Sequence, residues 1–133
     1  MLGEQIGASQ GKRIVRRVLA ADAGFEVEVS FEETGKMLGL DISGLGTYTS
    51  QPRPDGTLYG EGQGLLFTKD GDMAAWKGQG VGKLAPGGAV SYRGALYYNS
   101  AAPKLARLNS IAVLFEFEVD ASGNTTSKLW EWK

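Results

Sequence analysis

Tyr59 and Glu61 stand two residues apart in Leu58-Tyr59-Gly60-Glu61-Gly62-Gln63-Gly64, and Lys77 and Arg93 follow in segments of similar make-up. A carboxylate beside a lysine and a phenol is a minimal polar cluster for acid–base chemistry, because each group shifts the proton affinity of its neighbours. The chain has no histidine and no cysteine. That double absence removes the usual general base near neutral pH, the Ser-His-Asp arrangement, the thiolate nucleophile and the commonest metal ligands. Catalysis would fall to carboxylates, tyrosines, lysines or the shape of a cavity. No loop carries the regularly spaced acidic residues of a calcium site. No metal and no cofactor is expected, and no single residue can be assigned a catalytic role.

A second set of residues suits binding better than reaction. Tyr48, Trp76, Tyr92 and Trp130 lie on segments with strand character. Their rings are expected to line an interior, where they either stack on a small apolar or aromatic ligand or fill the core.

The elements that must position these residues read as strands. Phe25, Val27, Val29 and Phe31 alternate with Glu26, Glu28, Ser30 and Glu32, the period of a half-buried antiparallel strand. Ile111, Val113, Phe115, Phe117 and Val119 repeat the pattern, and Trp130 and Trp132 share a face opposite Leu129 and Glu131. Asp55-Gly56, Asp70-Gly71, Pro86-Gly87-Gly88 and Ser122-Gly123-Asn124 break the runs, and the Asp-Gly pairs are expected to supply the positive φ angles of tight hairpins. Strands are expected near 12–21, 25–33, 38–50, 57–68, 73–84, 89–99, 110–120 and 125–132, with a short extra strand before Gly11 also open. Residues 102–109, behind a capping-type Ser100 and an early Pro103, read as a short helical segment packing Leu105 and Leu108 against one end. Short connections make sequence neighbours pair as a meander. About eight such strands are best satisfied by closure, since a barrel leaves no unpaired edge. The fold class is therefore all-β, one antiparallel barrel domain over residues 1–133, with a two-sheet sandwich as the alternative.

Glycine recurs at alternate positions in Gly44-Leu45-Gly46, Gly60-Glu61-Gly62-Gln63-Gly64 and Gly78-Gln79-Gly80-Val81-Gly82. Each set occupies one face of its strand, the face that also carries Ile42, Tyr48, Leu58, Leu66 and Trp76. Glycine inside a strand costs entropy, so the stripe needs a reason. It either relieves crowding inside a tightly coiled barrel or makes room for large neighbours or a ligand. If this face is interior, Glu61, Lys77 and Arg93 are outside and form cross-strand ion pairs. In the opposite register they line a polar cavity. Lys12, Arg13, Arg16 and Arg17 read as a charged ladder against Glu26, Glu28, Glu32 and Glu33, and Glu116, Glu118 and Glu131 as solvent-facing or paired with Lys128.

Fourteen basic residues against fifteen acidic give a net charge of −1, without the basic excess a nucleic-acid partner requires. No apolar run spans a membrane and no signal segment is evident. A cytoplasmic protein, free of nucleic acid and membrane and open to homo-oligomer formation, is expected.

Gly46-Thr47-Tyr48-Thr49-Ser50, Arg53 through Gly64, Ser91-Tyr92-Arg93-Gly94-Ala95 and Lys104-Leu105-Ala106-Arg107-Leu108-Asn109 together resemble a family of small uncharacterised microbial barrel proteins. At fold level the pattern is similar to calycin-like and allene-oxide-cyclase-like barrels. The resemblance implies a barrel with a usable interior and transfers no catalytic position. It leaves three functions open: a binding barrel for a small apolar or aromatic ligand, a cofactor-independent cyclase or isomerase with Glu61 or Tyr59 as its polar actor, and a packed structural or oligomer-forming module.

Overall fold

The alternating runs fold as one ribbon wound back upon itself. The computed structural model describes residues 1–22 and 24–133, and in it β1 (Leu2–Ala20), β2 (Glu26–Met37), β3 (Leu40–Pro52), β4 (Leu58–Thr68), β5 (Met73–Leu84), β6 (Val90–Asn99), β7 (Val113–Val119) and β8 (Asn124–Trp132) form a closed barrel in chain order. Every neighbouring pair is antiparallel, and β1 closes on β8 from Leu2↔Trp132 to Lys12↔Asn124. Closure gives the strand backbones a partner on both sides over most of their length. Among the described residues no helix is long and apolar enough to cross a membrane.

Several boundaries differ from the sequence expectation. The first strand is one continuous element of 19 residues rather than a strand from Lys12 with a separate piece before Gly11. Bulges at either end of it interrupt simple alternation, which hid the strand in the sequence. The turn between β2 and β3 sits at Leu38-Gly39, both with positive φ (52° and 79°), a hairpin conformation that leucine seldom signals. In the Asp-Gly turns only the glycine takes positive φ. Thr68 N–H donates to Asp72 O and Gly71 N–H to Thr68 O, and the turn at Arg53–Thr57 is built alike.

Residues Pro103–Ser110 form a 3-10 helix, where the short helical segment was expected. Ser100 does not cap it; Ala102 holds the N-cap position. The Ser100 hydroxyl donates to Met73 O instead, and the Asn109 amide brackets the Ser100 backbone with two bonds of 2.8 Å. This clamp seats Leu105 and Leu108, both fully buried, as a plug in one barrel end beside Ile6, Met37, Leu66, Val113 and Leu129. A second cluster, Phe31, Leu58, Tyr92, Phe117 and Val119, fills the other half of the interior.

Two charge assignments change. Glu131 points inward and is buried, and its carboxylate accepts from Arg107 at 2.7 Å instead of facing solvent. The basic run on β1 divides: Arg17 pairs with Glu28 on the outer face at 3.5 Å. The bulge at Ile14 puts Arg13 opposite Phe31 and Arg16 opposite Val29, on the inward side of the ribbon.

Candidate functional site

The glycine stripe lies on the interior face. A Cβ on Gly46 would fall 2.5 Å from the Phe31 ring, one on Gly82 2.6 Å from Tyr92, and one on Gly80 2.9 Å from Phe115. Gly64 lies flat against the Trp76 indole in the same way. The glycines therefore make room for rings that β-strand side chains would otherwise exclude.

The rings form one cluster. Tyr48 and Tyr92 meet edge to face at 5.6 Å, Tyr48 and Phe117 at 5.8 Å, and Phe31 and Phe117 at 5.0 Å. Beneath them, against the bare backbone of Gly60, Gly62, Gly78 and Gly80, lies a cavity of about 80 Å³. Its wall includes Phe31, Tyr48, Trp76, Tyr92, Leu96, Tyr98, Phe115, Phe117 and Leu129, with Glu33 and Ser127 on inward positions; Glu61 and Gln79 also border it from between the glycines, as exposed residues.

Three of the four predicted ring residues, Tyr48, Trp76 and Tyr92, thus meet at the cavity. Trp130 does not. It shares the outer face of β8 with Lys128 and Trp132, because Leu129 and Glu131 take the inward positions. Aromatic bulk alone does not decide a strand's phase.

The predicted polar cluster is also outside. The Tyr59 hydroxyl donates to Glu61 and contacts Gln79, each at 2.6 Å, and the Arg53 guanidinium lies 4.7 Å from the Tyr59 ring centre. Arg93 pairs with Glu118 at 3.1 Å and Glu116 at 3.7 Å, not with Glu61. Lys77 stands opposite Gln63 and Tyr97 on the same outer wall. Tyr59, Arg93 and Trp130 border one shallow surface groove with Arg53 and Leu114. These side chains cannot serve as the interior polar actor.

The interior carboxylate is Glu33. It continues the phase of Val29 and Phe31, and Gly44 opposite it leaves space for its carboxyl, since a Cβ there would stand 3.2 Å from Oε2. The Ser9 hydroxyl donates to Glu33 Oε1 at 2.5 Å and the Ser127 hydroxyl to the same oxygen at 3.2 Å. Burial raises the Glu33 pKa above its ordinary 4.5, with the two serine bonds opposing the rise. Tyr98, four strands round the barrel on β6, lines the cavity from the opposite wall. Burial, and then the Glu33 charge, push its phenol far above the ordinary value of 10.0, so it stays protonated. Burial likewise raises Tyr48, while Arg13 and Arg16 pull it back down; these two cations border the barrel end above the Tyr48 ring. Tyr92 is raised by burial and held by its 2.6 Å bond with Ser50.

The sequence reading grouped Glu33 with a surface ladder. The available signal was its phase, since Phe25, Val27, Val29, Phe31 and Glu33 are all odd-numbered. Ser127 is in phase with Leu129 in the same way. Ser9 had no such signal, because β1 does not alternate.

No protein-family model and no curated protein matches this chain. Solved structures do. A protein of unknown function from Clostridium acetobutylicum superposes with a TM-score of 0.83 at 12% identity, over 96% of both chains. A β-barrel-like protein from Acinetobacter baumannii gives 0.81 at 14%, over 100% of this chain and 96% of that one. An enzyme from Penicillium herquei gives 0.70 at 15%, over 96% and 92%. At such identities the likeness is one of fold: this chain is built like a set of small β-barrel proteins that includes uncharacterised members and one enzyme.

Proposed function

We propose that the barrel receives a compact apolar or aromatic molecule in its interior. The observation that carries this reading is the cavity of about 80 Å³ between the aromatic cluster and a wall of bare glycine backbone. A barrel built only for packing gains from filling such space, because each lost contact costs dispersion energy. Here a cavity persists although Gly60, Gly62, Gly78 and Gly80 on its wall are closely covered by Tyr92, Tyr48, Leu96 and Phe115. Apolar walls supply most of the affinity for a small guest, and a few placed polar groups orient it.

The test uses Trp76, the tryptophan on the cavity wall. In a Trp130→Phe, Trp132→Phe protein it is the only tryptophan left of three. Titration with small aromatic compounds such as phenol and indole should change its emission saturably, and native mass spectrometry should show one guest per chain. Leu96→Phe, which enlarges a wall residue, should weaken both signals while circular dichroism stays that of the barrel. No emission change and no bound mass for any compound would leave a packed structural barrel as the better reading.

A further inference from the structure

We propose that Glu33 and Tyr98 form a proton-transfer site for a compact ketone or aldehyde with an acidic C–H next to its carbonyl, so that the barrel enolises or isomerises it without a cofactor. This rests on the reading that the interior admits a small molecule, and adds what would happen to it there.

Glu33 Oε1 is saturated by Ser9 and Ser127, which fixes the carboxyl in one orientation and stabilises its ionised form. No side-chain hydrogen bond reaches Oε2 among the described residues; this oxygen lies beside Gly44, and Glu33 is one of the residues that line the cavity. Burial makes the carboxylate a stronger base than a solvated one, nearer the proton affinity that proton abstraction at neutral pH requires. Across the cavity Tyr98, 8% exposed, lines the same space with its phenol held protonated, and a guest's carbonyl oxygen is an acceptor that such a hydroxyl takes. Two polar groups thus line one apolar space: one to accept a proton, one to donate a hydrogen bond.

The step balances without a co-reactant. Glu33 Oε2 takes the proton from the α-carbon; the C–H pair becomes the C=C bond, and the carbonyl π pair moves to oxygen. The Tyr98 hydroxyl donates to the oxygen as it gains charge, which is where a preorganised donor lowers the barrier. Glu33 then returns the proton, to the same carbon as exchange with solvent deuterium or to the γ-carbon as migration of a double bond. Dry apolar walls strengthen both interactions.

The experiment uses cyclohex-3-enone, cyclopentanone and phenylacetone with the full chain. Binding is read by Trp76 emission in the Trp130→Phe, Trp132→Phe protein. Reaction is read as deuterium uptake at the α-carbon in D₂O and as conversion of cyclohex-3-enone to its conjugated isomer by ultraviolet absorbance. Glu33→Gln should lower the rate at least about 100-fold, and Tyr98→Phe about 100-fold, with binding retained. Ser127→Ala should give a smaller loss, and Glu61→Gln on the outer wall none. Binding without exchange above the protein-free rate overturns the proton-transfer site and leaves the binding reading standing. A rate unchanged in Glu33→Gln overturns it too, as does loss in Glu61→Gln. Failure of all three ketones to bind where phenol binds overturns the proton-transfer site alone; failure of phenol and indole as well overturns both readings. If Glu33→Gln does not fold, Tyr98→Phe decides by the same criteria.

Discussion

Glu33 shows what a single side chain costs a barrel. A carboxyl whose folded pKa lies above its unfolded value contributes stability that is fully present below the unfolded value, near 4.5, and is lost as pH rises through the folded one. At neutral pH the ionised group is therefore a burden on the fold. Glu33→Gln should raise the urea midpoint at pH 7 by more than it does at pH 4; an equal or larger gain at pH 4 would mean that burial is not the governing cause. A site that costs stability is what a functional group buried in a barrel is expected to look like. The glycine wall makes the complementary case. Gly64→Ala drives a methyl into the Trp76 ring, so a loss of about 1–3 kcal/mol is expected in chemical denaturation. Trp76→Phe should recover part of it in the double variant. Simple additivity of the two changes would show that the glycine is there for some reason other than the indole. Both residues were half-legible in the sequence. The stripe was visible as a periodicity, but the rings it makes room for lie far off in the chain, from Tyr92 beside Gly82 to Phe115 beside Gly80, and only the register names them.

At the scale of elements, the 3-10 segment and the β1–β2 ribbon behave oppositely. Leu105 and Leu108 are completely buried where the segment closes the barrel. Truncating either to alanine should cost about 2–5 kcal/mol, the range for core leucines that leave a cavity, and urea midpoints will measure it. A loss under about 1 kcal/mol would mean that the barrel end recloses without the plug. The ribbon is held more loosely. β1 pairs with β8 as far as Lys12, and Arg13 N–H donates to Gly123 O at 2.8 Å, so residues 14–20 rest on β2 alone, with Ile14, Val15, Val18 and Leu19 exposed. Amide hydrogen exchange should be markedly faster over residues 15–20 than over residues 7–12 of the same strand. Uniform protection along β1 would show that something covers its outer edge. The segment Pro103–Ser110 was readable because proline, helix formers and two spaced leucines coincide; the length of β1 was not, because its bulges erase the alternation that marks a strand.

For the whole molecule, closure makes one cooperative body of eight strands. Far-ultraviolet circular dichroism and Trp76 emission should report the same unfolding midpoint. Separate transitions would mean that the aromatic half around Phe31 and Phe117 and the plugged half around Leu105 unfold independently. The barrel also sorts the tryptophans: acrylamide should quench the exposed Trp132 more readily than the half-buried Trp76, compared in single-tryptophan variants.

The sequence alone determined the period of the regular strands and which residues of the glycine-bearing segments share a face, because these depend on neighbours one or two residues apart. Fold class, strand order and the plug followed from them. Tertiary structure decided what depends on residues far apart in the chain. It turned Trp130 outward and Glu131 inward, left Tyr59, Glu61, Lys77 and Arg93 on the surface, and brought Glu33, Ser127 and Tyr98 to one cavity from three different strands, with Ser9 on a fourth bonded to Glu33. The physical reason lies in register. A strand's pattern says which residues share a face, but only pairing around the closed barrel sets which faces meet across its interior.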